Sequence, residues 1–156
     1  MKCTRNVSVV LTIIAICLIT TTTHAQKSGT LVLRFRAPFP FTVKNTTLAA
    51  GEYEVRQPTQ FVLALRNVES QAFAFEHVQA AGSSKEVDGR AGAVFHRYGG
   101  AYFLAAISDG SWQSTYDFDR STIEKELTRK SPTRQPEVVS VLSNGNVVPA
   151  DIGRKH

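Results

Sequence analysis

From Leu31 to Phe118 the apolar side chains recur mainly at every second position, the period of a half-buried strand. Leu31, Leu33 and Phe35 alternate with Arg34 and Arg36. After Pro38 the alternation resumes with Phe39, Phe41 and Val43. Pro40 marks an edge position there, because proline has no N–H for a ladder. Gly51 ends a turn and leads into Tyr53 and Val55. A strand follows from Phe61 to Arg66, then a polar turn from Asn67 to Ser70. Ala72 to Val78 is the next strand, with Phe73 and Phe75 on one face. Residues 80–92, rich in Ala, Gly, Ser and charge, read as a surface loop.

Two β-rich runs between Ala93 and Ile107 flank Gly99-Gly100, a pair able to take the positive φ of a tight hairpin. A two-residue loop pairs Tyr98 with Ala101, Arg97 with Tyr102, His96 with Phe103, Phe95 with Leu104 and Val94 with Ala105. Both faces then carry large apolar groups, so the hairpin is expected at the centre of a sheet. Asp109-Gly110 makes another turn and Trp112 to Phe118 a further strand. One helix is expected, Ser121 to Lys130. Ser121 can cap it, Glu124 completes a capping-box pattern, and Pro132 stops it. Ile123 and Leu127 would face the sheet. Val138 to Leu142 is a last strand. The expected fold is mostly β, an antiparallel sandwich or small barrel with one short C-terminal helix.

The N-terminus adds a compartment. Lys2 and Arg5 precede a short apolar run, Val7 to Ile19, and small residues at Thr23 and Ala25 suit cleavage after Ala25. The run falls short of the roughly 20 apolar residues of a spanning helix. The expected organisation is a signal peptide at 1–25, a single β domain at 26–142 and a loose tail at 143–156. The mature chain would be exported, periplasmic or extracellular, with no stable membrane span. Both cysteines, Cys3 and Cys17, lie in the leader, so the domain must be stable without disulfides. Ile16 before Cys17 argues against lipidation. The net charge of +5 includes Lys2 and Arg5, leaving a mildly basic domain with little reason to bind nucleic acid.

Three segments carry a resemblance. They are Pro38-Phe39-Pro40-Phe41-Thr42-Val43, Leu48-Ala49-Ala50-Gly51-Glu52-Tyr53, and Phe95-His96-Arg97-Tyr98-Gly99-Gly100-Ala101-Tyr102-Phe103-Leu104. With the leader and the late helix, they resemble a group of small exported β proteins from soil bacteria, over roughly residues 30–142. The resemblance implies export and a β fold, and transfers no activity, cofactor or site residue. Ala49 stands where that group usually has proline, which bears on the rigidity of the turn.

Candidate chemistry is sparse. The expected mature chain has three histidines, His77, His96 and His156, none close to another in sequence, so no metal-ligand spacing appears. Asp117 and Asp119 would share a strand face, but they read best as a charged approach to the helix N-terminus. No nucleophile elbow and no phosphate-binding glycine motif is present. His77 lies beside Glu76, and strand neighbours point to opposite faces. His96 faces Phe103, which offers packing and no proton acceptor. Arg34, Arg36, Arg56, Arg66 and Arg97, interleaved with aromatics, could form a stacking platform, although arginine on an outer sheet face is ordinary. No catalytic, metal or cofactor residue is assigned. The reading is a non-catalytic exported binding or structural module of the cell envelope. Its partner would be an unidentified envelope or extracellular one. The alternative is a small secreted hydrolase using His77 or His96.

Overall fold

The computed structural model describes residues 29–81, 90–111, 115–130 and 135–149. The expected leader, its cleavage site and both cysteines lie outside the described residues, as do Trp112, Pro132 and His156.

The chain is mostly β and forms two sheets that are packed as a sandwich and not closed into a barrel. The smaller sheet contains β1 (Thr30–Ala37), β4 (Gly51–Thr59), β5 (Val62–Asn67) and β6 (Phe73–His77), in the order β1-β4-β5-β6. All its pairings are antiparallel. Pro58 lies where the β4–β5 register shifts, a place that tolerates a missing N–H. The larger sheet runs β12 (Val147–Pro149), β11 (Glu137–Leu142), β8 (Ala91–Tyr98), β9 (Ala101–Asp109), β10 (Thr115–Asp117) and β7 (Gln79–Ala81). A small hairpin of β2 (Phe41–Val43) and β3 (Thr46–Leu48) joins β9 through Thr42 and Phe103. Pro40 sits just outside β2.

Period-two alternation dictates the core. Leu33, Phe35, Tyr53, Val55, Leu63 and Leu65 point inward from the smaller sheet. They meet Phe41, Val43, Phe95, Leu104, Ile107 and Val141 from the larger one. Phe41 packs edge-on against both Tyr53 and Phe95, with ring centroids 5.0 and 5.2 Å away. Aromatic pairs of this kind add about 1 kcal/mol each beyond their burial.

The β8–β9 hairpin is central, as its two apolar faces require. Its register follows expectation from Tyr98–Ala101 to Phe95–Leu104, and only Gly99 of the glycine pair takes a positive φ, 65°. One pair is corrected. Val94 opposes Ala106, not Ala105, because a bulge intervenes between Val94 and Phe95.

The helix, α1 (Thr122–Lys130), forms where its cap places it: Ser121 Oγ accepts the Glu124 N–H at 2.9 Å. Its orientation corrects the expected one. Ile123 and Leu127 are exposed, and Glu124 is the buried residue of the helix. The expected loose tail is partly ordered as well. Residues 143–146 make a turn, and Val147–Pro149 pairs with β11 as an edge strand. Residues 150–156 lie outside the described ones.

Candidate functional site

Two groupings bring together chemistry that lies far apart in sequence. The first is buried. Beyond the sheet face that packs the core, β8 turns His96 and Tyr98 toward α1. His96 Nδ1 lies 2.7 Å from Glu124 Oε1, and Tyr98 donates to the same oxygen at 3.3 Å. The Tyr98 and Thr128 hydroxyls are 3.3 Å apart, and Thr128 Oγ1 donates to the Glu124 carbonyl. Arg120 Nε approaches Glu124 at 3.8 Å. His96 is 8% exposed and Glu124 2%. The capping-box glutamate thus leaves its own helix end to bond a strand. His96 has the carboxylate partner that its place opposite Phe103 did not supply.

The second grouping is open. On the outer face of the smaller sheet, cross-strand pairing aligns Arg34 with Glu54, Glu54 with Arg66 and Arg66 with Phe73. A neighbouring row carries Arg56, Ala64 and Phe75. Arg36 pairs across from Glu52. Glu54 is held by Arg34 at 3.1 Å and Arg56 at 3.0 Å and is almost fully covered. Four arginines face two glutamates, so the surface is positive. The Nε atoms of Arg56 and Arg66 are buried with no hydrogen-bond partner, a state that costs free energy. Phe73 and Phe75 make a T-shaped pair with centroids 4.1 Å apart, yet remain 47% and 58% exposed.

Four of the five arginines singled out in the sequence therefore share this face. Arg97 does not. It lies over the Tyr102 ring, 5.6 Å from its centroid, and pairs with Glu137 at 3.3 Å. There it lines a half-open cavity of about 200 Å3 with Phe39, Tyr102, Val139, Val147 and Pro149. His77 and Glu76 diverge: His77 is exposed on the outer face, while Glu76 turns to Lys44 at 3.5 Å. Asp117 ends β10 and Asp119 is exposed ahead of the helix. Among the described residues no group of three His, Cys, Asp or Glu side chains is placed to hold a metal ion. No family model, curated protein or solved structure matches the chain.

Proposed function

We propose that this chain is a non-catalytic exported binding module of the cell envelope, and that it binds an anionic ligand through the outer face of its four-stranded sheet. The observation that carries this reading is the joint exposure of Phe73 and Phe75 beside Arg34, Arg36, Arg56 and Arg66. Aromatic rings give contact area at low entropic cost, and guanidinium groups recognise carboxylates and phosphates in a planar, directional way. The basic, apolar start of the chain supports export. The resemblance to a group of small exported β proteins supports the export part of this reading.

Chemical-shift mapping tests it. The isotope-labelled exported protein is titrated with a carboxylated polysaccharide and with an acidic peptide, both at low salt. At least one should shift residues of β1, β4, β5 and β6 and leave α1 unmoved. Shifts centred on His96 and α1, or none with either probe, would reject the proposal.

A second reading rests on the 2.7 Å His96–Glu124 contact, which supplies a base and its orienting carboxylate for a small hydrolase. Against it stands burial. The pair lies between helix and sheet, and the hydroxyls at hand, Tyr98 and Thr128, are engaged with Glu124 and with each other. The geometry suits a clamp better than a nucleophile.

A further inference from the structure

We infer that the partner is an extended polypeptide segment of alternating acidic and apolar residues, which adds as a fifth strand to the open edge of β6. This inference rests on the binding role proposed for the outer face.

Among the described residues the smaller sheet ends at β6, which pairs only with β5. At the two ends of that ladder, Asn67 N–H donates to the Ala72 carbonyl and Val78 N–H donates to the Phe61 carbonyl. Antiparallel ladders alternate, so Ala72, Ala74, Glu76 and Val78 turn their backbone toward β5. Phe73, Phe75 and His77 therefore turn theirs toward the open edge. Sheets ordinarily blunt such an edge with proline, lysine or a bulge. The segment Phe73-Ala74-Phe75-Glu76-His77 has no proline or lysine, its pairing with β5 runs without a register shift, and its one inward-pointing charge, Glu76, is neutralised by Lys44. Main-chain bonds along an edge supply affinity, and the side chains of the added strand supply specificity.

The flanking chemistry selects the pattern of that strand. On the outer side its residues would lie beside Phe73, Phe75 and His77, with Arg66 one strand further in. Carboxylates there are drawn to the arginine excess. On the inner side its residues would extend the surface of Ala74 and Leu65, which belong to the apolar core, up to Glu76, whose charge is paired with Lys44 at 3.5 Å. Alternation of side chains along a strand then dictates acidic and apolar residues in turn. Charge also disfavours a second copy of this chain as occupant, because pairing β6 with itself would join two positive faces in one sheet.

The test uses a short end-blocked peptide of alternating Glu and Val, with a Lys-Val peptide and a carboxylated polysaccharide for comparison. Affinity is read by calorimetry and strand addition by amide exchange. The Phe73, Phe75 and His77 amides should exchange fast in the free protein and slow with the Glu-Val peptide, while Ala74 and Glu76 are slow throughout. Phe75→Ala should weaken binding several-fold by removing the ring, and Phe75→Pro by a further factor of roughly ten by also removing the edge donor. Circular dichroism checks that each variant folds. Should Phe75→Pro not fold, the exchange data on the unaltered protein and on Phe75→Ala decide. Tight binding of the Lys-Val peptide would overturn the inference, as would peptide binding without amide protection. So would protection already present in a concentration-dependent dimer. If the polysaccharide alone shifts the outer face, the inference fails and the binding role stands. If no anionic probe shifts it, both fail.

Discussion

Glu124 Oε1 lies 2.7 Å from His96 Nδ1, and this contact joins the helix to the central hairpin. A nine-residue helix has little stability of its own. Here its apolar stripe faces water, so its position rests on the polar cluster of Ser121, Glu124 and Thr128 against His96 and Tyr98. Removing His96 takes away the shortest contact of the buried Glu124 carboxylate and leaves it the longer ones from Tyr98 and Arg120. His96→Ala is expected to destabilise the fold by about 3 kcal/mol in urea unfolding. Ile123→Ala should change it by less than about 0.5 kcal/mol, as for an exposed site. The reverse ranking would show that α1 docks through Ile123.

Burial of Tyr53 predicts an alkaline limit for the fold. Its hydroxyl donates to the Ala49 carbonyl, and burial pushes its pKa above the ordinary 10.0, opposed in part by a hydrogen bond with the Asn67 side chain. A raised pKa means that the folded chain holds the proton more tightly than the unfolded one. The stabilisation is complete below the unfolded value and is lost as pH rises from 10.0 toward the folded value. Unfolding midpoints should therefore fall above that pH. Tyr53→Phe should lower stability by about 1 kcal/mol at neutral pH through the lost hydrogen bond. Its deficit should then shrink as pH rises above the ordinary tyrosine range. A constant deficit would place the alkaline limit elsewhere.

Gly51 is required by a neighbour. A Cβ at this position would fall 2.6 Å from Asn67 Nδ2. Asn67 cannot yield easily, because its Oδ1 accepts the N–H groups of Glu69 and Ser70 at 3.0 and 2.8 Å and so shapes the β5–β6 turn. Gly51→Ala is expected to cost about 2 kcal/mol through crowding of a packed site. In Asn67→Ala the added cost of Gly51→Ala should shrink to the part owed to the positive φ of 155° at Gly51, a coupling that a double-mutant cycle measures. Additive effects would contradict the contact.

Much of the fold was legible because alternation and turn chemistry are local. Gly99-Gly100 determined the hairpin register as far as Phe95 with Leu104. The bulge beyond it changed the next pair, and nothing in Ala93-Val94-Phe95 announces a bulge. The helix face was misread for a physical reason. Ile123 and Leu127 look like an inward stripe only if the sheet beneath is apolar, and here it presents His96 and Tyr98. One signal pointed the other way: a polar side chain inside an otherwise apolar central hairpin needs a partner. The arginines were visible as the polar beats of strands. That Arg34, Arg36, Arg56 and Arg66 share a face while Arg97 does not depends on strand order, which alternation does not encode. The exposure of Phe73 and Phe75 was hidden likewise, since period two does not say which face is buried.

The binding role of the outer face is tested most directly by comparing two variants for affinity and stability together. Arg36→Gln/Arg66→Gln removes half of the four arginines there, while His96→Ala leaves that face untouched. Binding of the anionic probe that shifts the outer face is measured by calorimetry at two salt concentrations. The double variant is expected to lose roughly tenfold or more in affinity, with a weaker salt dependence and an unfolding midpoint near that of the unaltered protein. His96→Ala should bind as before at temperatures where it is folded. Unchanged affinity in the arginine variant, or loss of binding in folded His96→Ala, would contradict the assignment.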